Sequence, residues 1–139
     1  MRHTAAITAL AGATLAFAGP AHAAPESIAG NWKTDDGNAI VNFYKCGSGM
    51  CGKITRFLVA EPEGGERDRK NPDKSKRDRP VKGLTIFWSL TPDGDEWDGK
   101  GYSPKEGRYF NAELQKVGNR LKIKGCVAVF CRTAYFTKA

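Results

Sequence analysis

From residue 30 onward the chain is a series of short segments in which apolar and polar residues alternate, each bounded by turn residues. This period of two constrains the fold more than any other feature. Ala39, Val41 and Phe43 share one face of the segment 39–44. Phe110, Ala112 and Leu114 share one face of 108–116, and Leu121 and Ile123 one face of 120–124. Successive side chains of a strand point to opposite sides of the sheet, so each segment reads as a strand with one buried and one wet face. Similar runs lie at 31–34, 53–60, 84–88, 96–102 and 129–137. Asp35-Asp36-Gly37, Thr91-Pro92-Asp93-Gly94, Ser103–Gly107 and the hairpin signal Gly118-Asn119 separate the runs. Gly99 and Gly101 interrupt one strand and point to a bulge or a tight barrel bend. No segment has the periodicity of an amphipathic helix. About eight strands at this spacing predict an all-β fold, a small antiparallel up-and-down β-barrel whose closure removes exposed edges. A two-sheet sandwich is the alternative.

Residues 1–23 precede this pattern. Met1-Arg2-His3-Thr4 is followed by an uncharged apolar run from Ala5 to Ala18, then Gly19-Pro20 and Ala21-His22-Ala23. A positive start, an apolar middle and a small-x-small end predict a secretory signal peptide cut after Ala23. The apolar run is too short to cross ~30 Å of hydrocarbon as a helix. A single arginine argues against the twin-arginine route. One domain is then expected over 24–139, with no transmembrane segment after cleavage and a periplasmic or secreted location.

Cleavage also removes function classes. Both histidines, His3 and His22, lie in the segment lost. A chain starting at Ala24 can have no Ser-His-Asp or Cys-His mechanism and no histidine-ligated metal. Losing Arg2 lowers the formal charge of +7 by one. The remaining positive balance favours an anionic partner such as a membrane surface or cell-wall polymer.

The four cysteines are Cys46, Cys51, Cys126 and Cys131. In an oxidising compartment pairing is the default, and four cysteines allow three connectivities. The pairs Cys46–Cys51 and Cys126–Cys131 are favoured, the first closing across the turn-rich Gly47-Ser48-Gly49-Met50. A four-cysteine zinc site competes, but the spacing within each pair is wider than usual for zinc. Neither pair is C-x-x-C, which argues against a redox-active dithiol. No metal and no other cofactor is expected.

Residues 61–82 form a charged loop with eight basic and six acidic residues. The mixed signs argue against nucleic acid. Asn71-Pro72-Asp73 reads as a turn or short helical start with Asn71 as cap. Arg77-Asp78-Arg79-Pro80 can pin the loop by pairing arginine with backbone carbonyls or with Asp73. Asn71, Asp73, Arg77 and Arg79 are the candidate surface-interaction residues.

Several stretches occur together in a known family. Gly30-Asn31-Trp32, the 46–54 hairpin, Asn71-Pro72-Asp73, Arg77-Asp78-Arg79-Pro80, Trp97-Asp98-Gly99, Tyr102-Ser103-Pro104, Gly107-Arg108-Tyr109 and Cys131-Arg132-Thr133 appear in order. On these the chain resembles the bacterial exported family catalogued as domain of unknown function 2147, across nearly all of 24–139. The resemblance implies a lipocalin-like β-barrel and no established activity. The chain departs from that pattern at Ser103, where aspartate is common, and at 135–138, which replaces a Trp-x-Arg ending. It is also similar to lipocalins in Gly30-x-Trp32. That similarity implies a barrel-closing pair in which Arg132 stacks over Trp32, a structural contact.

The leading functional expectation is a non-enzymatic binding module holding a small apolar or amphipathic ligand. Its candidate lining is Trp32, Phe43, Trp88, Trp97 and Phe110, with Phe130 and Phe136. A filled core competes, because eight-stranded barrels either pack solid or hold one small ligand. The alternative is an envelope interaction or maintenance protein acting through its surface and the 61–82 loop. An enzyme would need carboxylates alone, with Asp93, Asp95 and Asp98 as candidates, and these straddle a predicted turn.

Overall fold

The computed structural model describes residues 8–16 and 24–139. The predicted cleavage point and most of the signal peptide lie outside the described residues. The strands are β1 (Gly30–Lys33), β2 (Ala39–Cys46), β3 (Gly49–Phe57), β4 (Thr85–Asp93), β5 (Glu96–Ser103), β6 (Arg108–Val117), β7 (Arg120–Val127) and β8 (Phe130–Lys138). Each pairs antiparallel with the next, and β1 pairs back to β8 through Trp32↔Lys138 and Lys33↔Thr137. The sheet closes, so this is the lipocalin-like up-and-down barrel and not a sandwich. The only helical element among the described residues is a 3-10 turn, η1 (Lys74–Lys76).

Among the strands that run past their predicted ends, β3 and β4 do so by the most. β3 begins at Gly49, because the Cys46–Cys51 bridge clasps a hairpin whose turn is only Gly47-Ser48. β4 runs through Pro92 to Asp93, so the turn is Gly94-Asp95. β4 is bent on the way. Its register with β5 shifts between Trp88 and Thr91, and Ser89 there has φ 53°.

Up-and-down connectivity puts the β1–β2, β3–β4, β5–β6 and β7–β8 connections at one end, the loop end. The first residue of β1 and the β2–β3, β4–β5 and β6–β7 turns lie at the other. At that second end the chain before β1 forms a plug. Ile28 is fully buried, and its carbonyl accepts a 2.9 Å hydrogen bond from Trp32 Nε1. Trp97 Nε1 donates to the Glu26 carbonyl at 3.0 Å.

The barrel interior is filled by side chains. Phe87 is the hub, with ring centroids 5.3 Å from Phe43, 6.1 Å from Phe110 and 6.4 Å from Phe136. The strands make room for these rings by omitting side chains beneath them. A Cβ on Gly101 would lie 2.3 Å from a Phe110 ring carbon, and one on Gly52 would lie 2.8 Å from Phe43. Of the two glycines that interrupt β5 in sequence, Gly101 is a hollow for the Phe110 ring, and Gly99 admits the β4 backbone at Trp88 and Ser89 and the Leu90 side chain.

Candidate functional site

The 61–82 segment is a folded excursion laid on the outside of the barrel. Its two arms are bridged, with Asp68 N donating to Arg79 O and Val81 N to Glu66 O, both at 3.0 Å. Its anchor is Asp68, which is completely buried. Tyr102 Oη donates to Asp68 Oδ1 at 2.5 Å. Asn71 Nδ2 and Arg79 Nε each donate to Oδ2 at 2.8 Å. The Arg79 guanidinium also stands 5.7 Å from the centre of the Tyr102 ring. Tyr102 lies on the row of β5 opposite to the inward glycines, so the loop buries it against the outer wall, where it packs on Tyr109 at 4.6 Å. Burial, then the hydrogen bond to Asp68, pushes the Tyr102 hydroxyl above its ordinary pKa.

This network removes Asn71 from the candidate surface-interaction residues and ties Asp73, Arg77 and Arg79, which stay exposed or half-buried, into the loop. Asn71 is fully buried and receives Asp73 N at 2.9 Å on its own Oδ1. Asp73, not Asn71, caps η1, accepting from Ser75 N and Oγ. Those hydrogen bonds hold its carboxyl below the usual range. Arg77 Nε donates to the Asn71 carbonyl at 2.8 Å, the backbone pairing expected of it. Arg79 pairs with Asp68 and not with Asp73. The physical reason is burial: a carboxylate removed from water must have its oxygens satisfied, and the donors nearest in the loop are committed to that task.

The second correction concerns barrel closure. Trp32 is buried as expected, but the cation over its ring is Lys138 Nζ, 4.8 Å from the ring centre. Arg132 is at the loop end of β8, the end away from the Ile28–Trp32 plug. It makes a twin contact with Glu106, Nη2 lying 2.6 Å from Oε1 and 2.7 Å from Oε2. That pairing holds the Glu106 carboxyl below its ordinary range. The residue that replaces the family's terminal arginine thus serves the closing role assigned to Arg132.

The candidate lining residues divide. Trp32 and Phe43 are core, with Trp97 and Phe110 packed against it. Trp88 lies outside, edge-on to Tyr109 at 6.1 Å, because it has the opposite parity to the inward Phe87. Phe136 is interior, whereas Phe130 is 79% exposed at the β7–β8 tip. Both favoured disulfides are present and sit at opposite ends of the barrel, which rules out a shared zinc. Asp93 and Asp95 lie at the β4–β5 hairpin end. Asp98, opposite Thr91 on the same hairpin, lines an open polar groove of about 490 Å³ on the outer wall, with Ser89, Thr91, Lys100, Asn111 and Glu113.

Residues 30–138 match the family described as "Uncharacterized protein conserved in bacteria (DUF2147)". The chain belongs to this family. The barrel is similar to protein HP1028 from the human pathogen Helicobacter pylori, which is described as belonging to the lipocalin family. The TM-score is 0.71 at 16% identity, over 81% of this chain and 83% of that one. No curated protein matches the chain. For this DUF2147 member the likeness to a lipocalin concerns the fold. Asp68 and Tyr102, the residues that organise its loop, were marked in sequence only by membership of the charged run and of the Tyr102-Ser103-Pro104 motif.

Proposed function

We propose that this DUF2147 protein is an exported, non-catalytic binding protein that meets a component of the cell envelope with the outside and rim of a solid barrel. The observation that carries the reading is the Phe43–Phe87–Phe110–Phe136 cluster seated over inward glycines. Space that a lipocalin-like barrel could offer to a ligand is taken by the protein's own rings. Export is supported by the signal-peptide pattern of residues 1–23 and by two disulfides, which persist in oxidising compartments. No helix among the described residues is long and apolar enough to cross a membrane. The non-catalytic reading is supported by the absence of histidine from 24–139.

A second reading, a small apolar ligand inside the barrel, is favoured by the likeness to a lipocalin fold. It requires Phe87 and its neighbours to move aside. Native mass spectrometry of protein purified gently from its own compartment distinguishes the two. A clean apo mass with no lipid in an organic extract is expected. A stoichiometric co-purifying lipid would overturn the first reading in favour of the second.

A further inference from the structure

The tip of the β7–β8 hairpin is built in a way that the barrel does not require. Hairpin turns of two residues favour Asn-Gly or similar pairs, which tolerate positive φ and face water. The other tight turns here follow that rule, with Gly47-Ser48, Gly94-Asp95 and Gly118-Asn119. The β7–β8 turn is Ala128-Val129, and Ala128 is held at φ 52°. The Cys126–Cys131 bridge clasps the two strands immediately behind it. The result is a rigid apolar finger with Val127 45% exposed, Val129 86% and Phe130 79%. These three apolar side chains cover no part of the core.

The stem of the same hairpin is basic. From Arg120 to Ala139 there are five basic residues and no acidic one. Arg120, Lys122 and Lys124 occupy one outward row of β7, because Leu121 and Ile123 between them face the core. Lys124 is met by Glu113 of β6 at 3.6 Å and Arg132 by Glu106, but the stem stays net positive. An apolar tip on such a stem is complementary to a surface with an anionic outer layer over a hydrocarbon interior.

We propose that the Val127–Phe130 finger docks this protein on an anionic lipid bilayer. Val129 and Phe130 enter the boundary of the acyl chains, and Lys122 and Lys124 lie against the headgroups. This names the partner of the working surface proposed above and rests on that reading only in taking the exterior as that surface. A lipid found inside the barrel would overturn the solid-barrel reading and leave the bilayer test unaffected.

The test uses the chain from Ala24, which holds every strand of the barrel, with both disulfides formed. Flotation is measured with vesicles of equal parts phosphatidylglycerol and phosphatidylcholine and with phosphatidylcholine alone. The expected result is binding to the anionic vesicles that weakens in high salt and is lost on phosphatidylcholine alone. Joint replacement Val129→Ser and Phe130→Ser should weaken it by on the order of tenfold or more. Val117→Ser, at a 48% exposed apolar position at the opposite end, should not. Phe130→Trp supplies a second reading in a fold left intact, since its added emission should shift to the blue on anionic vesicles. Absence of binding, equal binding by the serine variant, or an unshifted Trp signal overturns the proposal. So does self-association of the wild type that the serine variant abolishes, since the finger's occupant would then be a second copy of the chain.

Discussion

Tyr102, on the outer wall of β5, donates a 2.5 Å hydrogen bond to the fully buried carboxylate of Asp68, 34 residues earlier in the chain. Through this contact the charged 61–82 segment becomes part of the barrel wall. Asp68 receives three donors, and Arg79 serves both the carboxylate and the Tyr102 ring. The segment's charges are thus spent partly on its own architecture, and its surface is shaped by a buried polar anchor.

Tyr102→Phe should destabilise the protein by about 1–3 kcal/mol, the cost of leaving a buried acceptor short of a donor. Asp68→Ala should cost more, since it strands Tyr102, Asn71 and Arg79 together. Urea unfolding with unchanged m-values checks both. A Tyr102→Phe protein as stable as wild type would show that the hydrogen bond contributes nothing net.

The same contact sets an alkaline limit. The folded Tyr102 holds its proton above the ordinary tyrosine range, first through burial and then through Asp68. The native state therefore keeps a proton that the unfolded chain has lost. That contribution is complete below about pH 10 and falls as pH rises beyond it. Unfolding free energies followed from pH 8 upward should show wild type losing its advantage over Tyr102→Phe. A constant gap would sink the idea.

The strands and clasps were legible because their signals are local. Alternation marks a strand wherever it folds, and a five-residue separation can close a hairpin in any context. What sequence concealed depends on position along the barrel axis. Arg132 and Lys138 lie on one strand and share its inward parity, yet one reaches the loop end and the other the Trp32 plug. Phe130 and Phe136 differ in the same way: the first passes the rim and the second enters the core. The Asp68–Tyr102 anchor joins segments whose contact no periodicity encodes. The glycines of β5 were visible as irregularities, but the ring above Gly101 belongs to β6.

Filling that hollow should be costly. Gly101→Ala places a methyl against Phe110 and should destabilise by about 1–3 kcal/mol, the usual effect of overpacking. Phe110→Leu should offset part of this, so that a double-mutant cycle in urea shows favourable coupling between the two replacements. Strict additivity would mean that the strand, not the ring, absorbs the methyl.

The two cations of β8 should behave differently. Lys138→Met removes the charge over Trp32 and should cost about 0.5–1 kcal/mol and alter the indole emission. Arg132→Gln should change stability little, because its pair with Glu106 is exposed. It should still be visible in acid. Glu106 titrates below its ordinary range while Arg132 is present, so its small contribution is lost only as pH falls through that depressed value. Carboxyl NMR should find the Glu106 midpoint raised in Arg132→Gln; an unmoved midpoint would contradict the pairing.

The two disulfides should not be equivalent. Each closes a small loop, worth roughly 2 kcal/mol by the chain-entropy estimate. At Cys46–Cys51 the turn places Gly47 at φ 57°, which that residue adopts freely. At Cys126–Cys131 the turn forces Ala128 to φ 52°, a conformation that costs an alanine about 1–2 kcal/mol. Without its clasp this hairpin end should fray, because the sequence of its turn opposes the turn. Cys126→Ser with Cys131→Ser should therefore raise amide exchange at 127–130 far more than the matching Cys46/Cys51 replacement does at 47–50. Ala128→Gly in the first background should recover about 1 kcal/mol and restore protection. Equal fraying at both ends, or no recovery with glycine, would show that the bridge constrains only the unfolded chain.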